Sequence, residues 1–184
     1  MITLLSGTNR PDSNTRKVTA LIEGLYHEIG VPTRVIDLQE LPVEIFLPTA
    51  YATKPASFAR FTEAVLSASG LVVVTPEYNG SMPGVLKLFI DHLKFPESFE
   101  CRPVCFVGLA AGMWGALRSV EQLQGIFGYR GAHLFPKRVF VPGVGQALGP
   151  DGRFVDPEIT GRLREQAEGF LPYVECLRGV CLRN

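Results

Sequence analysis

Leu71-Val72-Val73-Val74-Thr75 runs directly into Pro76-Glu77-Tyr78-Asn79-Gly80-Ser81-Met82-Pro83-Gly84, and from there into Val85-Leu86-Lys87-Leu88-Phe89-Ile90-Asp91-His92-Leu93. The first piece is short, β-branched and too uniformly apolar to leave one face wet, as the strands of a buried parallel sheet are. The second concentrates Pro, Gly and Asn, the punctuation of a turn. In the third the apolar spacing turns helical, with Val85, Leu86, Phe89, Ile90 and Leu93 on one stripe and Pro83 placed as first helical residue.

The same succession recurs on either side. Further strand-like runs are Ile2 to Ser6, Thr33 to Asp37, Pro103 to Gly108 and Arg138 to Val141. A helix is predicted from Ser13 through Val18, Leu21, Ile22, Leu25 and Ile29, with Gly30 as its stop, and another through Phe58, Phe61, Val65 and Ala68 up to Gly70. A fourth runs from Trp114 to Phe127, and a last one follows Asp156-Pro157, with Asp156 as N-cap and Ile159, Leu163, Phe170, Val174 and Leu177 inward. Strands alternating with helices predict an α/β fold with a parallel sheet covered on both faces. Pro42 to Pro55 and Pro142 to Asp156 read as loops.

The chain has 184 residues, a length that suits one domain over residues 1–184, and shows no repeat or composition break. Its 18 basic and 18 acidic residues balance, which argues against nucleic acid as a partner. Its apolar stretches fall short of the roughly 18–20 residues needed to cross a bilayer, so no membrane association is expected. Met1-Ile2-Thr3-Leu4-Leu5 reads as a first strand rather than a leader, which makes the cytoplasm the expected compartment. Cys101, Cys105, Cys176 and Cys181 lack the paired spacing of a zinc ribbon and are read as thiols in a reducing setting. His27, His92 and His133 lie far apart; surface or capping roles are expected, with no metal site. There is no Gly-x-Ser-x-Gly elbow, which removes the main hydrolase reading. Gly143-Val144-Gly145 is a weak dinucleotide signal and reads as loop.

In an open parallel sheet, ligands gather beyond the carboxyl ends of the strands. After the first strand comes Ser6-Gly7-Thr8-Asn9-Arg10-Pro11-Asp12-Ser13-Asn14-Thr15, opening into a helix. A helix start offers unpaired N–H groups and the positive dipole end, a ready anion site. With one glycine and many hydroxyls the loop suits a terminal phosphate monoester: Thr8, Ser13 and Thr15 supply hydroxyls, Asn14 an amide and Arg10 a charged fork. A plain helix cap at Asp12 or Ser13 explains the same residues, and both readings stand. In the segment from Pro76 to Gly84, backbone groups and the aromatic face of Tyr78 suit the polar edge and flat face of a flavin ring, while a simple strand-to-helix turn remains the alternative.

Two motifs carry a family resemblance. Thr8-x-Arg10-x-x-Ser13 resembles the phosphate loop of the NAD(P)H-dependent FMN reductases, and Pro76-Glu77-Tyr78-Asn79-Gly80-Ser81-x-Pro83-Gly84-Val85-Leu86-Lys87, followed by Ile90-Asp91, is similar to that family's flavin-ring motif. Ala110-Ala111-Gly112-Met113-Trp114-Gly115-Ala116-Leu117-Arg118 resembles its third flavin loop, with Gly115-Ala116 where relatives usually have Gly-Gly. The likeness spans residues 1 to 142. It implies a flavodoxin-like three-layer α/β/α sandwich with a five-stranded parallel sheet in the order 2-1-3-4-5, non-covalent FMN, and a homodimer or homotetramer.

It also implies an oxidoreductase in which hydride passes from NADPH or NADH to FMN and on to a small acceptor such as a flavin, quinone, azo compound or metal oxyanion. No side chain acts as catalytic acid or base, since the flavin carries the electrons. Thr8, Arg10, Ser13, Asn14 and Thr15 are expected at the phosphate and Pro76, Glu77, Tyr78, Asn79 and Gly80 at the ring, with Gly112, Trp114 and Gly115 closing the far side. Trp114 reads equally as a core anchor. The alternatives are an FMN-binding electron carrier without its own NAD(P)H turnover and a scaffold that has lost the flavin.

Overall fold

A computed structural model describes residues 1–178 and residue 180. The elements run β1 (Ile2–Ser6), α1 (Asn14–Glu28), β2 (Thr33–Asp37), α2 (Ala59–Leu66), β3 (Gly70–Pro76), α3 (Gly84–His92), β4 (Pro103–Leu109), α4 (Leu117–Tyr129), β5 (His133–Leu134), β6 (Val139–Val141), α5 (Val144–Ala147) and α6 (Pro157–Leu177). The strands pair in parallel in the order β2-β1-β3-β4-β5, with β6 also on β4. This is the flavodoxin-like order of a doubly wound sheet.

The fifth position differs from expectation. Instead of one strand, β5 pairs with the start of β4 through Pro103 and Val104, and β6 with its end through Val107 to Leu109. Pro136 lies between them and has no N–H for the ladder, so the edge breaks there.

Period-two alternation sorts the strand residues into two cores. Leu4, Val72, Val74, Cys105 and Val107 pack with Val18 and Ile22 of α1 and Leu163 and Phe170 of α6. Leu5, Leu71, Val73, Val104 and Phe106 face the other way, onto Phe61, Leu86, Phe89, Val120 and Phe127 of α2, α3 and α4. Each such side chain, fully buried, contributes about 1.5–3 kcal/mol of transfer free energy.

Helix ends adjust the expected boundaries. Ser13 caps α1, its Oγ accepting from Arg16 N at 3.2 Å, and Asp156 caps α6 by accepting from Glu158 N at 2.9 Å. Pro83 is the N-cap of α3 rather than its first residue. Helix α4 starts at Leu117, later than Trp114, because Ala116 adopts a left-handed φ of 74° that no helix can contain. The proline-rich stretch after β2 is not bare loop: 3₁₀ turns at Val43–Phe46 and Pro48–Tyr51 bury Ile45 and Ala50. Gly143-Val144-Gly145, read as loop, opens α5. His92 is buried rather than on the surface; its ring lies 4.3 Å from that of Tyr51, and Nδ1 is 3.0 Å from Leu88 O. Among the described residues Cys105 and Cys176 form no disulfide, and Cys181 lies outside the described residues. No described helix is long and apolar enough to cross a membrane.

Candidate functional site

The carboxyl ends of β1, β3 and β4 open on one cleft of about 510 Å³, within the range of small-ligand sites. Its wall is built from Arg10, Pro11, Asp12, Ser13, Asn14 and Thr15 on one side, Pro76, Glu77 and Tyr78 in the middle, and Leu109, Ala110, Ala111 and Val144 on the other. Three loops that are far apart in sequence thus meet at one place.

The first loop is seated by Gly7. Its N–H donates to Val74 O at 2.8 Å, and a Cβ there would lie 2.8 Å from that same oxygen, so only glycine lets the chain leave β1 against β3. The loop then reaches the N-terminus of α1. Arg16 N is used by the Ser13 cap, whereas the N–H groups of Asn14 and Thr15 make no backbone bond among the described residues. These are the orphan donors of a helix start, and they line the cleft. The Ser13 hydroxyl accepts the cap bond and keeps its proton for a ligand, so the cap and anion-site readings are compatible. Thr8 is placed differently from the expectation of a phosphate hydroxyl. It is buried, its Oγ1 lies 2.9 Å from Tyr78 OH, and it accepts from Arg10 N at 3.3 Å. Its hydroxyl ties the first loop to the second.

The second loop turns at Asn79-Gly80, where φ values of 53° and 77° put both central residues in the left-handed region, as a type I′ turn requires. Tyr78 N–H donates to Ser81 O at 2.8 Å across it. Asn79 is exposed, and neither it nor Gly80 lines the cleft. The Glu77 carboxylate is divided: Oε1 accepts from Arg118 Nη1 at 3.1 Å, and the buried Oε2 has no partner among the described residues.

The third loop is fastened to the segment after β6. Ala110 N–H donates to Val141 O at 3.1 Å, and Val144 N–H donates to Ala110 O at 3.0 Å. Gly115 has φ 55°, and a Cβ there would come within 3.0 Å of Val141 N, so it is a packing glycine beneath the loop rather than part of the cleft wall. Gly112 is exposed, and a Cβ there would meet nothing within 4 Å. Trp114 is 55% exposed, which settles its two readings against a core anchor.

FMN fits what these residues offer. Unspent helix N–H groups, hydroxyls and Arg10 at one end match a phosphate dianion, and the aromatic side chain of Tyr78 at the other offers a face to the ring.

The sequence model of the NADPH-dependent FMN reductases matches residues 1–146. The chain belongs to that family. It is with it an oxidoreductase that uses FMN and a nicotinamide nucleotide. An NAD(P)H-dependent FMN reductase of Pseudomonas aeruginosa is 29% identical over 154 residues, covering 82% of both chains. A quinone reductase of Escherichia coli K12 is 35% identical over 125 residues, 66% of each chain. In fold, the chain is similar to the flavoenzyme NAD(P)H:(acceptor) oxidoreductase of Paracoccus denitrificans, with a TM-score of 0.80 over 95% of this chain and 96% of that one, at 21% identity.

Of the residues singled out in the sequence, Arg10, Ser13, Asn14, Thr15, Pro76, Glu77 and Tyr78 line the cleft. Sequence reading passed over Val144, whose signal was the glycine pair around it. It also passed over Thr75 and Ser119, buried hydroxyls 2.9 Å apart behind the second loop.

Proposed function

We propose that the cleft at the ends of β1, β3 and β4 is where this chain holds FMN, with Arg10, Ser13, Asn14 and Thr15 at the phosphate and Pro76, Glu77 and Tyr78 at the ring. Asn79, Gly80, Gly112 and Trp114 form the rim that an incoming substrate crosses, and Thr8 and Gly115 support it from below. The observation that carries this reading is the meeting, in one cleft, of the unspent N–H groups of α1 and Arg10 with the Pro76–Glu77–Tyr78 loop.

When bound, FMN supplies the redox chemistry, accepting hydride from NADPH or NADH and giving electrons to a small acceptor. The residues of the chain provide placement. Helix α1 and Arg10 hold the anionic end, Tyr78 offers an aromatic face, and the tie from Tyr78 OH to Thr8 fixes the spacing between the two. Quinones are the acceptor class we favour, in keeping with the quinone reductase among the relatives. The chain works as one domain, in the cytoplasm, where nicotinamide nucleotides are abundant. We further infer a homodimer formed through the face between α3 and α4, where Met82, Ile90 and Ile126 line a groove beside exposed Tyr129; sedimentation at micromolar concentration tests this.

The function is tested anaerobically by loading the protein with FMN, removing free flavin, adding NADPH or NADH, and following the flavin absorbance band. Rapid bleaching is the expected result. A bound flavin that stays oxidised until dithionite is added would make the protein a carrier instead.

A further inference from the structure

The anion end of the cleft carries an anion of its own. Asp12 lines the cleft between Arg10 and the start of α1, one residue ahead of the Ser13 cap, and it is exposed. Its Cα stands within about 7 Å of that of Asn14, the reach of two residues, and the Asn14 N–H is one of the unspent donors. Among the described residues the Asp12 carboxylate makes no hydrogen bond and no ion pair, not even with Arg10 two positions away. The turn accounts for the residue type only in part. A φ of 52° favours Gly, Asn or Asp, and the first two would fill it without a charge.

Arg10 and Asp12 are the only charged residues in the loop from Ser6 to Thr15, and they cancel. Arg16, the remaining cation of the first helical turn, is committed to Asp37 at 3.2 Å. Attraction for a phosphate therefore rests on the N–H groups and the helix dipole, and Asp12 already occupies that positive potential, where a negative charge is favourable. An incoming phosphate monoester shares the potential with Asp12 and is repelled by it. Across about 7 Å in water-like surroundings, the repulsion between one negative charge and a phosphate dianion is worth about three- to tenfold in affinity. It fades with salt, because the screening length is about 10 Å at 0.1 M.

We propose that Asp12 is an affinity-setting residue, a built-in competitor for the start of α1 that loosens the phosphate end of FMN so that the flavin exchanges readily. This rests on the reading of the cleft as the FMN site and adds to it what sets the strength of binding there.

The test compares wild type with Asp12→Asn and Asp12→Gly, both of which tolerate the left-handed backbone and remove the charge. Asparagine can donate a new bond to the phosphate and glycine cannot, so a gain shared by both variants comes from the lost charge. FMN and riboflavin are titrated by fluorescence at about 0.02 M and about 0.5 M salt. Both variants are expected to bind FMN about three- to tenfold more tightly at low salt and within about twofold of wild type at high salt, with riboflavin affinity unchanged. The Asp12→Asn apoprotein, having lost a charge favourable to the dipole, is expected to melt about 1–2 °C lower at low salt. Unchanged or weaker FMN binding in both variants, a gain in Asp12→Asn alone, or an equal gain for riboflavin would overturn the proposal while leaving the FMN site intact. Wild-type protein that binds no FMN at either salt concentration would overturn the reading beneath it as well. Should Asp12→Asn not fold, Asp12→Gly decides by the same criteria.

Discussion

Tyr78 and Cys105 show how one residue's surroundings set what it can do. Tyr78 lines the cleft, and its hydroxyl is tied to Thr8 Oγ1. Tyr78→Phe keeps the aromatic face and cuts the tie between the two ligand-bearing loops, so FMN affinity should fall by about three- to tenfold, the worth of one neutral hydrogen bond. A fluorescence titration reads this, and an unchanged dissociation constant would mean that the loops hold their spacing without the tie. Cys105 lies on β4 with no exposed surface, and burial pushes its thiol up. Burial, and secondarily Cys105, does the same to the phenol of Tyr26. Both acids are therefore harder to ionise in the folded than in the unfolded chain. The stability this represents is fully present below the unfolded thiol pKa of about 8.5 and is lost as pH rises past it. Urea midpoints should fall from about pH 8.5 upward, and Cys105→Val should move the onset toward the tyrosine range near pH 10. Alkylation of the native protein should label exposed Cys176 and spare Cys105, as peptide mapping would reveal.

At the scale of elements, the start of α1 serves two purposes that a pair of substitutions can separate. Ser13→Ala removes both the cap and the hydroxyl, whereas glycine at an N-cap costs only a few tenths of a kcal/mol relative to serine. Ser13→Gly should leave the apoprotein's urea stability nearly unchanged and weaken FMN about tenfold; equal affinity would reduce Ser13 to a cap. On the approach to β4, Arg102 is a staple. Its guanidinium donates to Ser98 O at 2.7 Å and also to Ala68 O, at the end of the segment after α2. Arg102→Met should cost roughly 2–4 kcal/mol in urea unfolding while leaving FMN affinity alone, because the cleft lies at the other end of the sheet. The strands were legible because a sheet covered on both faces writes itself as apolar runs, and the Asn79-Gly80 turn because that dipeptide tolerates two left-handed residues in succession. The start of α4 was not legible. Ala116 gives no local sign of its left-handed φ, and once the helix begins after it, the apolar stripe of Val120, Leu123 and Phe127 does not extend back to Trp114, which is left exposed. The split of the fifth strand was written in Pro136. The four-residue α5 is too short for any periodicity to reveal, so Val144 was missed with it.

Over the whole molecule, the two cores and the cleft are nearly separate. The buried clusters on either face of the sheet are complete in themselves, and the ligand-bearing loops rest on them through a few hydrogen bonds, so the apoprotein should be folded, with FMN adding stability by linkage alone. At a free FMN concentration of one hundred times the dissociation constant, that addition is about 2.7 kcal/mol. The flavin analogue without phosphate tests which part of the ligand supplies it. Riboflavin can meet Tyr78 and Glu77 but leaves the N–H groups of Asn14 and Thr15 and the side chain of Arg10 without their anion. Charge-assisted bonds of this kind are about twice as strong as neutral ones, so most of the affinity should reside there. Thermal melts with FMN, riboflavin and inorganic phosphate at one shared concentration should therefore show a clear upward shift with FMN and little with the other two, each of which engages one end of the cleft. Equal shifts with FMN and riboflavin would place the binding energy at the ring and reduce the start of α1 to a capped helix. A shift with FMN alone would establish that both ends must be held together, as the ties from Thr8 to Tyr78 and from α4 to the second loop imply.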